Sequence, residues 1–459
     1  MRIVHTLIFL TTLSIATAIL SCNEPVQRSD NQSEPPAKPL AATFFWFKGN
    51  LHTHTLWSDG DAAPEVSVDW YRRNGYHFLT LSDHNILLQG ERWLRVSKIE
   101  TPMKDLGATF ITSEKLDALR AQFGADWVVL RENDGDFEMR LKTLPELKAH
   151  FEVPGKFILI RGEEITDRYK TFPVHVNATN LNTLIMPQGG NSTYEVMQNN
   201  IDAVQKQAVE TGRSMFAHVN HPNFGWGIVA EDLIWLQGDR FFEVYNGHPG
   251  VKNWGDDAHP GTDRMWDIVL SMRLKLNRHP VFGIAVDDTH HYHEQRVGKA
   301  NAGRGWVVVK ATALEPELIV EAMERGDFYA TTGVLLKNIK MTSDALHIEI
   351  QTVSGVTYRT QFIGTPRNFD DSSQPVLNKS GNPAHITRTY SDDIGQIFLE
   401  TTDNPAIYRF KGDELYIRAK IISDRAHPNP FAKGDVEVAW TQPVGKSVQK
   451  FKVQEELAK

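Results

Sequence analysis

From Phe44 onward, short apolar runs alternate with stretches whose apolar residues recur every three to four positions, and several of the runs end in polar residues. The runs predict strands at Lys48–His52, Phe78–Leu81, Phe157–Arg161, Val174–Ala178, Ser214–Val219, Phe241–Tyr245, Val281–Val286 and Trp306–Val309. The longer-period stretches predict helices at Pro64–Arg73, opened by its proline, at Glu195–Thr211, at Asp263–Leu276 and at Pro316–Arg325, stopped by Gly326. Strand and helix in alternation predict an α/β fold built as a parallel barrel over residues 44–333. Residues 86–155 break the rhythm as a long insertion, which shapes a substrate entrance or is an inert elaboration. Past Gly333 the texture turns β-like, with alternation at Leu346–Ile350 and Glu414–Arg418. This predicts a small all-β domain at 334–440 and a charged tail at 441–459.

The N-terminus changes the picture of where the chain works. Arg2 precedes an apolar run, Ile3–Leu20, with the size and order of a secretory signal spanning residues 1–22. The single cysteine, Cys22, follows Ile19-Leu20-Ser21, a segment that resembles a bacterial lipobox. The expectation is an exported protein, lipid-anchored through Cys22 to a bacterial membrane; an uncleaved signal anchor is the alternative. Residues 23–43, polar and proline-rich, read as a flexible tether. One cysteine allows no intrachain disulfide, so stability must come from the core and from any bound metal.

At 459 residues the chain exceeds one average domain, and one large domain plus a smaller one fits. Hydrophobic residues at 41% and charged residues at 23% exclude wholesale disorder. A formal net charge of -8, without a basic stripe, argues against a nucleic-acid partner, which calls for clustered Lys and Arg.

The polar residues after the apolar runs carry the candidate chemistry. His52 and His54 alternate by two on a predicted strand, so both imidazoles project from one face and can meet one ion. Asp59 lies in the loop that follows, and the next strand runs into Ser82-Asp83-His84. Glu163 and Glu164 follow a third strand, His175 lies within a fourth, and His218 and His221 follow a fifth. Asp287, Asp288 and His290 come after Val281–Val286. Barrel enzymes keep their catalytic groups at such strand ends.

The segments GNLHTHTLWSDG, GYHFLTLSDHN, GEEIT, HVNATN, NHPNFGW, FEVYNG and VDDTHH together resemble the PHP superfamily of metal-dependent phosphoesterases, closest to its carbaryl-hydrolase-like branch, over about residues 46–330. The resemblance implies a distorted (β/α)7-type barrel holding two or three divalent ions. It implies His52 and His54 on one ion, Asp59 and His84 on a second, and Glu164 as a bridge, with His175, His221, Asp288 and His290 completing the set. Asp59, His84, Glu164 and Asp288 are then the catalytic ligands. Glu163 competes with Glu164, His218 with His221 and Asp287 with Asp288, while Asp83 and Glu243 are candidates for orienting ligand histidines or for purely structural work at the rim.

Mixed imidazole and carboxylate ligation suits zinc, manganese or iron. Two such ions acidify a water and stabilise attacking and leaving oxygens, which points to hydrolysis of a phosphate monoester or diester. No Gly-x-Ser-x-Gly elbow or usable thiol suggests covalent catalysis. Arg131, Arg140, Lys142, Arg168 and Lys170 are candidates to add positive charge, or solvated surface groups. A carboxylic or carbamate ester substrate is the alternative on the same site, and a non-catalytic cell-surface binding protein the alternative of another class. Tyr358, Phe362, Tyr390 and Tyr408 read as core of the β region, with no site claimed there.

Overall fold

Apolar runs rich in Val, Ile and Phe become strands because their side chains pack on both faces of a buried sheet. The computed structural model describes residues 43–97, 110–377, 385 and 387–451. The predicted signal, Cys22 and all but the last residue of the tether lie outside the described residues.

The described residues open with β1 (Phe45–Asn50), α1 (Pro64–Arg73) and β2 (Phe78–Leu81). The insertion holds β3 (Trp93–Ser97), β4 (Phe110–Thr112), α2 (Ser113–Phe123), β5 (Leu130–Asn133), β6 (Asp136–Arg140) and α3 (Leu144–Phe151). Next come β7 (Ile158–Tyr169), β8 (Phe172–Thr179), α4 (Thr193–Thr211), β9 (Phe216–Val219) and α5 (Ala230–Trp235). They are followed by β10 (Phe241–Asn246), α6 (Thr262–Lys275), β11 (Phe282–Val286), β12 (Trp306–Ala311), α7 (Pro316–Glu324) and β13 (Phe328–Thr331). The C-terminal part contributes β14 (Leu336–Met341), β15 (Ala345–Ile350), β16 (Tyr358–Pro366), β17 (Ser373–Pro375) and β18 (Arg388–Tyr390). It ends with β19 (Gln396–Thr401), β20 (Ala406–Arg409), β21 (Glu414–Ala426) and β22 (Val436–Thr441).

Thirteen strands form one sheet in the order β11-β10-β9-β8-β7-β2-β1-β12-β13-β22-β21-β16-β19. Its part from β11 to β13 is mixed rather than parallel. β1, β2 and β7 run parallel, as do β9, β10 and β11, but β8 is antiparallel to both β7 and β9, and β12 is antiparallel to β1. The reversal is local: β7 extends to Tyr169, Lys170 adopts a positive φ of 55°, and β8 returns from Phe172 as a hairpin. The expected all-parallel alternation is corrected at this point, because a crossover helix is unnecessary when the next strand folds straight back.

β11 ends the ladder beside β12 and β13, and among the described residues no strand pairing joins it to them. Its edge is covered from elsewhere: Gln442 accepts from the Gly283 N–H (3.0 Å) and donates to the Gly283 carbonyl (2.9 Å). Strands dominate the described region past Gly333, and residues 446–451 are helical. Four of the strands (β22, β21, β16 and β19) continue the large sheet through the β13–β22 pairing. A buried Arg418 on β21 fastens this region to α6, donating to Asp267 (2.8 and 2.6 Å) and Asp263 (2.6 Å).

The insertion forms a four-stranded sheet, β4-β3-β6-β5, whose Leu94, Ile111, Met139 and Leu141 share a core with Leu56 and Trp57. Trp57 Nε1 donates to the Lys142 carbonyl (2.9 Å), so the insertion braces the loop between His54 and Asp59.

Phe216 and Phe241 pack together at the base of β9 and β10, with ring centroids 4.6 Å apart. Two residues further along each strand, on the same face, stand buried His218 and Glu243. A layer of aromatic core thus becomes the floor of a polar site.

Candidate metal centre

His52 and His54 lie just past the end of β1. Thr53 between them bridges to Thr289, holding the segment extended so that both rings face the same way. Their Nε2 atoms are 3.1 Å apart, and each is 3.3 Å from Asp288 Oδ1. Glu164 Oε2 lies 3.5 Å from His52 Nε2 and 3.3 Å from His54 Nε2. On the other side the Glu164 carboxylate is 2.7 Å from His84 Nδ1, 2.9 Å from His175 Nδ1 and 3.4 Å from His221 Nε2. Asp59 Oδ2 is 3.4 Å from His84 Nε2 and 3.3 Å from His290 Nε2.

Ligand atoms therefore converge in groups that can each hold a metal ion: His54, Asp59, His84 and His290; His52, His54 and Glu164; His52, His221 and Asp288; His84, Glu164 and His175; and His52, His218 and Glu243. All nine residues expected as ligands from the sequence meet at this centre. A fit test comes from Glu164 itself. Its Oε2 is fully buried and accepts no well-formed hydrogen bond, though the ring nitrogens of three histidines surround it. A buried carboxylate oxygen left so is costly unless a cation takes it.

The three open pairs differ in their surroundings. Asp287 points away from the histidines and accepts from Tyr71 Oη (2.7 Å) and the N–H groups of Gly303, Arg304 and Gly305 (2.9, 2.6 and 2.8 Å). It ties the end of β11 to the start of β12, while Asp288, with φ 50°, turns into the cluster. His218 sits on the floor with Nε2 3.2 Å from Glu243, and His221 reaches Glu164. Glu163 faces the opposite side of β7 from Glu164 and accepts from the Ile185 N–H (2.7 Å). Burial raises its carboxyl to about 8, against that one hydrogen bond.

Glu163 is thereby a pH-sensitive group of the scaffold. Its folded-state value is raised, so the folded chain binds the extra proton and stability falls as pH rises from about 4.5 toward 8. Glu163→Gln mimics the protonated form and keeps the acceptor for Ile185. We expect it to be more stable than the wild type at pH 8.5 by a few kcal/mol, to match it near pH 5, and to leave metal content unchanged. Urea denaturation at the two pH values checks this, and equal stability at pH 8.5 would count against a neutral Glu163.

Burial opposes ionisation of the carboxylates of Asp59, Glu164 and Asp288, yet the surrounding histidines hold all three well below their usual range. Burial likewise opposes charge on His52 and His84, and the carboxylates override it, raising both well above the ordinary histidine value. His290 is raised to about 9 against burial by Asp59 and Asp288, whereas His54 falls to about 3 through burial and the charges of His290 and His84. The carboxylates call for positive charge, which protons supply in the bare chain and which divalent ions can supply in their place.

A set of polar residues fixes the ligands. Glu243 meets His52 Nδ1 (2.7 Å), leaving Nε2 as the coordinating atom, and accepts from the His221 N–H (2.7 Å) and Asn246 Nδ2 (2.8 Å). Asn220 Nδ2 donates to Glu164 Oε1 (2.7 Å), and Asn246 Nδ2 also reaches Asp288 Oδ2 (3.1 Å). Asp83 accepts from Ser58 Oγ (2.6 Å), the Thr55 N–H (2.8 Å) and Thr55 Oγ1 (2.9 Å), anchoring the loop that carries Asp59. Sequence reasoning left Asp83 and Glu243 open between orienting ligand histidines and structural work at the rim; Glu243 meets the ligand His52, whereas Asp83 bonds Ser58 and Thr55 of the loop. The same reasoning missed Asn220 and Asn246, whose only signal was their place at the ends of β9 and β10.

Arg131 pairs with Glu138, while Arg140 and Lys142 pair with Glu146, so these candidates for added charge are engaged within the insertion. Lys170 lies over the Tyr169 ring at the hairpin tip, next to Arg168. Phe362, Tyr390 and Tyr408 are buried, consistent with core.

No family model matches the chain, and no curated protein matches it. Among solved structures it is similar to a two-domain protein from Bacteroides vulgatus ATCC 8482 containing a predicted PHP-like metal-dependent phosphoesterase. That similarity has 14% identity over 87% of this chain and 96% of that one, with a TM-score of 0.37. A protein from Bifidobacterium adolescentis ATCC 15703, described provisionally as a metal-dependent phosphoesterase, is 12% identical over 53% of this chain and 87% of its own, with a TM-score of 0.25. Both similarities are too distant to carry an argument, and function is read from the site.

Proposed function

We propose that the chain is a multinuclear metal-dependent hydrolase of the PHP type, acting on a phosphate monoester or diester. The observation that carries this reading is the buried Glu164, met by ring nitrogens of five histidines, with one oxygen in no well-formed hydrogen bond. His52, His54 and Asp288 would hold one ion, His84, His175 and His221 would share Glu164 with it, and Asp59 with His290 would complete the outer position. Imidazole with carboxylate suits zinc, manganese or iron. When bound, two or three such ions acidify a water and neutralise phosphoryl oxygens. The chain's own contribution is placement: Glu243 holds the His52 proton at Nδ1, Asn220 and Asn246 aim the carboxylates, and the half-exposed Asp59 and His84 mark the open side toward solvent. The N-terminal pattern adds the proposal of export and a lipid anchor on Cys22.

The test is a substrate panel on protein whose metal content has been measured. Turnover of aryl phosphate monoesters or diesters supports the reading. Turnover of carboxylic or aryl carbamate esters alone would move the chemistry to those esters, and stoichiometric metal with no ester turned over would favour a binding protein. Chelation should lower the melting temperature by several degrees, because metal binds the folded site alone, and readdition of manganese or zinc should restore it. An unchanged melting curve in chelator would argue against a metal-filled core.

A further inference from the structure

His248 follows β10 in the Asn246-Gly247-His248 turn, beside the centre but outside each of the converging ligand groups. Its backbone N–H donates to Asn246 Oδ1 (2.7 Å), and its Nδ1 accepts from the Gly250 N–H (3.1 Å). With the Nδ1 lone pair used, the neutral ring carries its proton on Nε2. No described protein acceptor takes that proton, and the residue is only partly buried.

The ring is held in place. It packs edge-on to His290 (5.2 Å between centroids) and to Phe224 (6.0 Å, 83°), and Phe224 itself bridges to Val251. Gly250 makes this packing possible: a Cβ there would stand 2.9 Å from Phe224 Cε2 and 3.0 Å from His248 Nδ1. Two loops are thus locked so that one imidazole keeps a free N–H next to the ligand His290.

We propose that His248 binds substrate directly, its Nε2–H donating to an anionic oxygen of the group being hydrolysed. This inference rests on the phosphoester reading of the same centre. A neutral donor suits the position, since a fixed oriented N–H favours a phosphoryl oxygen without repelling the cations that share it. Gln places its amide nitrogen where His carries Nε2, whereas Ala removes the donor.

The experiment compares metal-loaded wild type, H248A and H248Q for binding of inorganic phosphate by calorimetry, and for kcat and KM on an aryl phosphate, with metal content measured in each. H248A should bind phosphate at least about tenfold more weakly with its metal retained, the range for a lost hydrogen bond to a charged group. H248Q should recover to within about threefold, and G250A should weaken binding in the same direction as H248A. H248A that binds phosphate like the wild type overturns the assignment and leaves the hydrolase reading standing. H248A that sheds metal overturns it too, since His248 would then support ligands rather than substrate. Metal-loaded wild type that neither binds phosphate nor cleaves a phosphoester defeats the phosphoester reading, and this inference with it.

Discussion

Glu164→Ala is expected to empty the centre of at least one ion and to lower turnover by about 10³-fold or more, equivalent to about 4 kcal/mol of transition-state stabilisation. Glu164 stands within 3.5 Å of ring nitrogens of His52, His54, His84, His175 and His221, so it is shared by the two sides of the site. Its removal takes away the carboxylate that faces all five histidines, leaving Asp59 and Asp288 to hold cations, and leaves Asn220 Nδ2 with Asn177 to bond. Metal analysis with steady-state kinetics checks the outcome. Retention of full metal and more than a tenth of the activity would place the bridge elsewhere. Asp288→Ala should behave similarly, while Asp287→Ala should act on stability instead, because Asp287 spends its oxygens on four donors of the scaffold.

The largest expected effect on stability is at Arg418. Arg418→Met should destabilise the fold by about 3–5 kcal/mol, the range for breaking a buried ion pair from one side. The guanidinium is 1% exposed, bonds both Asp267 and Asp263, and lies 4.7 Å from the Trp266 ring. Its loss leaves the Asp267 carboxylate with only the Tyr416 hydroxyl (2.7 Å) as a side-chain donor, and Asp263 with Lys420 and Trp440. Pairing the change with Asp267→Leu should recover part of the loss, because removing both partners leaves one buried charge fewer without compensation. Thermal and urea unfolding measure both. A single variant that unfolds like the wild type would show the pair to be energetically idle.

Local pattern made many elements of the large sheet and its helices readable. Proline at the start and basic residues in the last turn define α1, and the run Phe78–Leu81 is β2 as expected. Pairing direction was not readable, because it is set by partners distant in sequence. The β7–β8 hairpin closes at Lys170 without a glycine or Asn-Gly signal, so two short strands were expected where two longer ones meet. The continuity of β13 with β22 was hidden for the same reason: Tyr329 and Thr441 lie opposite one another across more than a hundred residues. At the centre, ligand residues stood out because histidine and carboxylate recur at strand ends. Asn220, Asn246 and His248 did not, because an amide or a lone histidine takes its meaning from the neighbour it meets in space.

Gln442 has a consequence for how this molecule can be divided. By satisfying both main-chain groups of Gly283 from a position beyond β22, it ties the segment after β22 to β11, the strand that leads into Asp288. A fragment cut after Gly333 would carry every proposed ligand, yet it would bare two sheet margins, at β11 and at β13, each open to pairing with another copy. The sheet that carries the proposed ligands and its β-rich extension are therefore expected to fold as one unit, not as a core with a removable attachment.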